Sequence, residues 1–230
     1  MLNFRVAKDF AMHQKNILIR HDVDFDLECA LEMAILERKM EVQANYFILS
    51  NSPYYNLKKE KYKRILFEIS NLNHEIGLHY DAGISETVSF EKQLSVLQAT
   101  TKKKISNYSQ HNPTLNGFNK DNQIIGIKDI FYSNAEFNPV YLSDSCMVPR
   151  SDFDKTIRNT ENIHLLVHPE FWILETSNLT EFEDALLNKK SKKFHEYVKK
   201  HVAIMRMTLE NRPALDEISN SPKSNSENEF

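Results

Sequence analysis

The stretch Ile17-Leu18-Ile19-Arg20-His21-Asp22-Val23-Asp24-Phe25-Asp26 breaks an apolar run against a cluster of acids, and a helical pattern follows at once. An unbroken apolar run suits a parallel strand covered on both faces, whereas a strand with one wet face alternates. Parallel strands need crossover connections, and Leu27, Ala30, Leu31, Ala34 and Ile35 recur at helical spacing, with Glu28, Glu32, Glu37 and Arg38 on the other side. A chain that begins this way is confined to α/β architectures. On extended backbone Asp22 and Asp24 share one face and Val23 takes the other, so two carboxylates stand close together where the strand ends. That pairing suits a base beside a metal. A helix N-cap accounts for one acid, Asp24 or Asp26, and leaves the others unexplained.

The same alternation repeats along the chain. Gln43 to Leu49 reads as a strand ended by Ser50-Asn51-Ser52-Pro53, and Tyr62, Ile65, Leu66, Ile69 and Leu72 mark a helix over 58–72 that stops at Asn73. Glu75 to His79 is a short strand, Phe90, Leu94 and Leu97 mark a third helix, and Ile105 to His111 is a strand ending in polar residues. Residues 114–139 show no clear period. Val140-Tyr141-Leu142 runs into Ser143-Asp144-Ser145, and Ile163 to Val167 runs into His168-Pro169-Glu170. Thr180-Glu181-Phe182-Glu183 matches the capping box. It predicts a helix extending toward Arg212 with a break near Ser191 and a buried stripe of Tyr197, Val198, His201, Met205 and Leu209. About seven strand and helix alternations point to an α/β barrel or a doubly wound sheet.

At 230 residues the chain has room for one sizeable domain, read here as residues 1–212, with Ser, Asn, Glu and Pro dominating a disordered tail over 213–230. Lys+Arg 29 against Asp+Glu 32 gives a net charge of -3, which disfavours nucleic acid as a partner. No stretch approaches the roughly 20 apolar residues of a membrane span, and the first residues lack the apolar core of a signal peptide. A soluble, cytoplasmic protein is expected. Cys29 and Cys146 stand far apart, without metal-site or disulfide spacing. Lys189-Lys190-Ser191-Lys192-Lys193, with Lys199-Lys200, reads first as a solvated helix face. Its second reading is weak docking to an anionic membrane surface or a pyrophosphate-linked substrate.

Four strand-like runs end in a residue able to bind a metal or move a proton: Asp22 with Asp24, then His79, His111 and His168. In a barrel those ends converge on one face. Two imidazoles and a carboxylate with an open position make a hydrolytic, zinc-type site. A single histidine is weak evidence in a chain that holds 9 of them, and their shared position at strand ends is the stronger signal. His74-Glu75-Ile76-Gly77-Leu78-His79 superficially matches the zincin motif, but one residue too many separates its histidines for both to face one side of a helix.

Taken together, Leu18-Ile19-Arg20-His21-Asp22-Val23-Asp24, then His74-Glu75-Ile76-Gly77-Leu78-His79-Tyr80, then Leu165-Leu166-Val167-His168-Pro169-Glu170 resemble, in that order, the NodB-homology polysaccharide deacetylases of carbohydrate esterase family four. The resemblance spans about Ile17 to Trp172. It implies a distorted (β/α)7 barrel of the NodB-homology type and metal-assisted hydrolysis of an N-acetyl group from a sugar. It further implies Asp22 as catalytic base, His168 as general acid, and Asp24 and His79 as metal ligands. The family's second metal histidine, four residues past the first, is replaced here by Gly83. His111 is the substitute, because Ser109-Gln110-His111-Asn112 resembles a motif in the branch associated with surface-polysaccharide, O-antigen-type gene clusters. Tyr141-Leu142-Ser143-Asp144-Ser145 and His168-Pro169-Glu170-Phe171-Trp172 resemble the same branch.

The expected set is therefore Asp24, His79 and His111 around one divalent ion, zinc first, with Asp81 as the rival third ligand. Arg20 and Arg150 are the candidates for the arginine that orients the base, and Asp144 is placed to hold a partner of that kind. Trp172 is placed to stack on an apolar sugar face or to serve as a rim aromatic. Two other readings stay open: a metal-independent amidase on the same barrel, favoured by Gly83, and a carbohydrate-binding relative without turnover.

Overall fold

Nine strands form one sheet in the computed structural model, which describes residues 3–5, 16–82, 89–113, 123–124, 126–130, 138–148, 152–190 and 192–211. The strands are β1 (Asn3–Arg5), β2 (Asn16–Val23), β3 (Asn45–Ile48), β4 (Glu75–Tyr80), β5 (Asn107–Gln110), β6 (Gln123–Ile124), β7 (Ile127–Asp129), β8 (Val140–Ser143) and β9 (Asn162–Val167). Across the sheet the order is β6-β7-β5-β4-β3-β2-β9-β8, and the seven strands from β7 to β8 run parallel. β6 pairs with β7 antiparallel, and β1 pairs with the first residues of β2, Asn3 opposite Asn16.

The helices are α1 (Leu27–Lys39), α2 (Glu60–Asn71), α3 (Phe90–Thr101), α4 (Phe153–Asn159), α5 (Pro169–Ile173), α6 (Leu179–Lys189) and α7 (His195–Glu210). Ile130, just past β7, packs against Leu18 of β2 and Phe47 of β3. In a flat sheet β7 and β2 would stand roughly 19 Å apart, four strand spacings of about 4.8 Å. That contact therefore requires a curled sheet. The parallel strands form a distorted (β/α)7 barrel, open between β7 and β8 among the described residues.

The period of two divides each strand between the two sides of this curl. On β2, Ile17, Ile19 and Val23 join the large core under the helices with Ala30 and Ala34 of α1, whereas Leu18 faces the barrel interior with Phe47 and Ile130. Register carries the interior face from strand to strand: Asp22 lies opposite Phe47, Phe47 opposite Gly77, and His79 opposite Ser109. A Cβ at Gly77 would stand 2.3 Å from the Phe47 ring. Since that ring is fully buried and has no room to retreat, β4 needs glycine two residues before His79.

His21, on the outer face of β2, joins α1 to the sheet through a buried ion pair. Both its ring nitrogens meet acceptors, Nδ1 the Val167 carbonyl at 3.1 Å and Nε2 the Glu37 carboxylate at 2.7 Å, so the ring carries both protons. Tyr46 donates its hydroxyl to the other Glu37 oxygen at 2.7 Å. Burial opposes both charges, yet each holds the other: His21 is raised above its ordinary 6.5, and Glu37 is lowered below its ordinary 4.5. Glu37 therefore contributes fully above pH 4.5, and its share is lost as pH falls through its lower folded value. His21 contributes fully below pH 6.5, and its share is lost as pH rises through its higher folded value. At pH about 6, Glu37→Ala is expected to cost about 3–5 kcal/mol, because it strands a buried imidazolium. Urea unfolding across pH should show this loss largest between those two values, and a loss that does not vary with pH would refute the pairing.

His74, the other histidine of the zincin-like hexapeptide, is structural. Ala44 N–H donates to its Nδ1 at 3.2 Å and its Nε2–H donates to the Ala34 carbonyl at 3.1 Å, so the ring is neutral and pins β4 to α1. Asp26, not Asp24, caps α1, accepting from Glu28 N–H at 2.8 Å.

Two expectations for the last third of the chain change, and one holds. The N-cap of α6 is Asn178, two residues before Thr180, and its side chain accepts from Thr180 and Glu181 N–H while Glu181 reaches back to Ser177 N–H. The expected break is present: α6 ends at Lys189, and a 3-10 turn over Lys192–Phe194 leads into α7. The stripe of α7 centres on Val198, Val202 and Met205, and Tyr197 is half exposed.

The lysine run is not wholly solvated either. Lys189 and Lys190 each place Nζ 3.1 Å from Asp26 Oδ2, spending their charge on the start of α1, while Lys192, Lys199 and Lys200 are exposed. Cys29 is buried beside Lys189. No described helix is long and apolar enough to cross a membrane. Gly83, Arg150, Ser191 and the tail from Pro213 lie outside the described residues.

Candidate metal centre and active site

The sequence-predicted residues meet at the carboxyl ends of the parallel strands. β2 presents Arg20 and Asp22 on its interior face and delivers Asp24 just past its end, β4 supplies His79, and β5 supplies Ser109 and then His111. β8 and β9 are followed directly by Asp144 and His168. All are buried, and parallel packing brings their ends to one side of the barrel.

Three ligand atoms form a nearly equilateral triangle. Nε2 of His79 lies 3.0 Å from Nδ1 of His111, and Oδ1 of Asp24 lies 3.2 and 3.3 Å from those two nitrogens. Donors about 2.0–2.1 Å from a tetrahedral ion stand about 3.3 Å apart, so the triangle fits one face of such a site and leaves the fourth position open. A second observation agrees: Asp24 Oδ1 is buried and accepts no hydrogen bond. Burial opposes its charge, but His111 and His79 hold the Asp24 carboxyl well below the usual carboxylate range. The cluster thus attracts a cation, and a divalent ion would take the place of an imidazole proton. Among the described residues this is the one group of three or more such side chains so placed, and Asp81, although buried nearby, is not in it.

Asp22 and His168 flank the triangle, each with its own orienting partner. Arg20 grips Asp22 in a bidentate pair, Nε to Oδ1 at 2.8 Å and a terminal nitrogen to Oδ2 at 2.5 Å. Burial would raise the Asp22 carboxyl, but the guanidinium overrides it and holds the group far below the ordinary range. Arg20 is therefore the arginine that orients this acid. Asp144 orients His168, accepting from ring Nδ1–H at 2.7 Å and from backbone N–H at 3.0 Å. Against burial, that carboxylate raises His168 to about 9, so the ring is an imidazolium at neutral pH with Nε2 4.0 Å from Asp24 Oδ2. Trp172 donates its indole N–H to the same Asp144 at 2.8 Å and is 52% exposed, leaving ring surface available beside His168.

Three contributors escaped the sequence reading. Ser109 bridges His79 and Asp22, and its signal was available: it stands two residues before His111, on the same strand face. Glu170 is completely buried, and its Oε1 accepts from Phe25 and Asp26 N–H at 2.9 and 2.8 Å, fixing the turn just after Asp24. Burial, with the Asp24 charge adding to it, pushes Glu170 up to about 7. His201 arrives from α7 with its ring 5.3 Å from that of His111 and 4.5 Å from that of Phe25. Burial brings its pKa down to about 4, against the pull of Asp24, so it is neutral. Nothing in the stripe of a helix 90 residues later marks such a residue as part of a site.

No protein-family model and no curated protein matches the chain. Solved structures do. A CE4 family pseudoenzyme from Bacillus anthracis is 18% identical with a TM-score of 0.45, over 78% of this chain and 61% of that one, so this chain spans about three fifths of its length. The peptidoglycan deacetylase PdaC from Bacillus subtilis is 11% identical with a TM-score of 0.47, over 87% of this chain and 99% of that one. A family 4 acetyl xylan esterase from Clostridium thermocellum, in complex with a cobalt ion, is 14% identical with a TM-score of 0.41, over 66% and 73%. At these values the likenesses carry no argument, and the site stands on its own geometry.

Proposed function

We propose that this chain is a metal-dependent hydrolase that removes an N-acetyl group from a sugar, working in the cytoplasm on an intermediate of surface-polysaccharide synthesis. The observation that carries the hydrolase reading is the arrangement of three kinds of group around one point: the Asp24, His79 and His111 triangle, an Arg20-bound carboxylate and an Asp144-bound imidazolium. The sugar and its setting rest on the motif resemblance.

Asp24, His79 and His111 would hold the ion, and two imidazoles with one carboxylate suit zinc. When bound, a divalent ion supplies water activation and polarises the acyl oxygen. Asp22, ionised by Arg20, accepts the proton of the attacking water. His168 gives its Nε2 proton to the departing sugar amine, and Asp144 stabilises the imidazolium until it does. Trp172 offers its exposed ring to an apolar sugar face.

Measuring bound metal in the purified protein, together with acetate release from a panel of N-acetyl sugars and their nucleotide conjugates, tests the reading. Acetate released only by metal-loaded protein supports it. Release that survives chelation would make the chain a metal-independent amidase, and sugar binding without release would make it a carbohydrate-binding protein.

A further inference from the structure

We propose that Ser109 is a positioning residue that sets the tautomer of His79 and locks that ring to Asp22, making the metal shell and the base one unit. The inference rests on the reading that Asp24, His79 and His111 hold a divalent ion. Ser109 is fully buried on β5, directly opposite His79 on β4. Its Oγ lies 2.7 Å from His79 Nδ1 and 3.0 Å from Asp22 Oδ1.

The direction of the two bonds follows from proton counting. Both Asp22 oxygens accept from Arg20, so Asp22 is a carboxylate and has no proton to give. A hydroxyl has one proton, and Ser109 must donate it to Asp22. Oγ is then an acceptor toward His79, and Nδ1 must carry the ring proton. The Ser109 carbonyl, 3.3 Å from the same Nδ1, also demands a donor there. Neutral His79 is left with its lone pair on Nε2, the nitrogen that faces Asp24 and His111. The chain Arg20, Asp22, Ser109, His79 thus prepares a ligand and orients a base with one hydroxyl. Such partners of ligating histidines fix ring orientation and tautomer, and losing one costs about 10- to 100-fold in metal affinity.

The test uses cobalt(II) as the probe, followed by its visible absorption, on the full chain and its Ser109→Ala and Ser109→Thr variants. Long-range nitrogen–proton NMR of the histidine rings, in metal-free protein, reports the His79 tautomer. Ser109→Ala is expected to weaken cobalt binding about 10- to 100-fold and to shift His79 away from the Nδ1–H form, with Ser109→Thr restoring both. Metal-free thermal unfolding of the same variants separates this from general destabilisation, which Thr would not repair. Cobalt affinity of Ser109→Ala within about threefold of the parent would overturn the inference. So would a parent protein whose His79 carries no proton on Nδ1, a result available even if the variants do not fold. A parent that binds no cobalt would defeat the hydrolase reading as well, whereas a parent that binds it and an alanine variant that binds it equally defeat this inference alone.

Discussion

His111→Ala is expected to weaken binding of a divalent ion by well over 100-fold, while Asp81→Ala leaves it nearly unchanged. A change in an outer partner costs about 10- to 100-fold, and loss of a ligand must exceed that. His111 Nδ1 is one corner of a triangle whose sides are 3.0, 3.2 and 3.3 Å, and removing it leaves one imidazole and one carboxylate. Two donors bind too weakly to retain an ion through purification. Asp81 is held another way, its backbone N–H and carbonyl both bonded to the Gln93 side chain at 3.2 and 2.9 Å. Metal titration of both variants decides the matter. Abolition by Asp81→Ala with retention in His111→Ala would show that the third ligand is Asp81.

Asp22→Asn and His168→Ala should each lower kcat by roughly 10²-fold or more with a much smaller change in KM, because proton transfer is realised in the transition state. Asparagine preserves the size of Asp22 but cannot take a proton, and its amide nitrogen would face the Arg20 guanidinium where a carboxylate oxygen now accepts. For His168 a finer test follows from its orienting partner. The Asp144 carboxylate holds the ring at about 9 against the pull of burial, so Asp144→Asn removes the largest raising charge and leaves burial opposed only by Asp24 and Asp22. The protonated form would then be lost at lower pH. The alkaline limb of the kcat/KM profile should move down accordingly, and an unmoved limb would show that His168 is not the acid. Parental turnover in Asp22→Asn would likewise remove the base from its role.

Ser109 illustrates how legible the site was. Its place two residues before His111 put it on the right face, but its two bonds join residues 30 and 87 positions away. His21 shows the same division. The alternation that aims Arg20 and Asp22 inward necessarily turns His21 outward, but only α1, packed against β2, supplies Glu37 as its counter-charge. Thr180 shows a local limit: Thr-Glu-Phe-Glu fits a capping box, and Asn178 took the cap because its side chain reached two N–H groups first.

By itself the sequence determined the α/β class, the approximate bounds of β2, α1, α2 and β4, and the catalogue of acids and histidines at strand ends. Those properties follow from hydrophobic period and from chain breaks that act within a few residues. The sequence named His111 ahead of Asp81 and Arg20 beside Arg150; only the tertiary structure decided that His111 closes the triangle, that Arg20 grips Asp22, that Asp144 grips His168, and that Glu170 and His201 belong to the site. Each of those facts except the Arg20 pair is a contact between residues brought together by the curl of the sheet and the packing of α5 and α7 on it. The Arg20 pair joins residues two apart on one strand face, and the barrel strengthens it by excluding the water that would screen it.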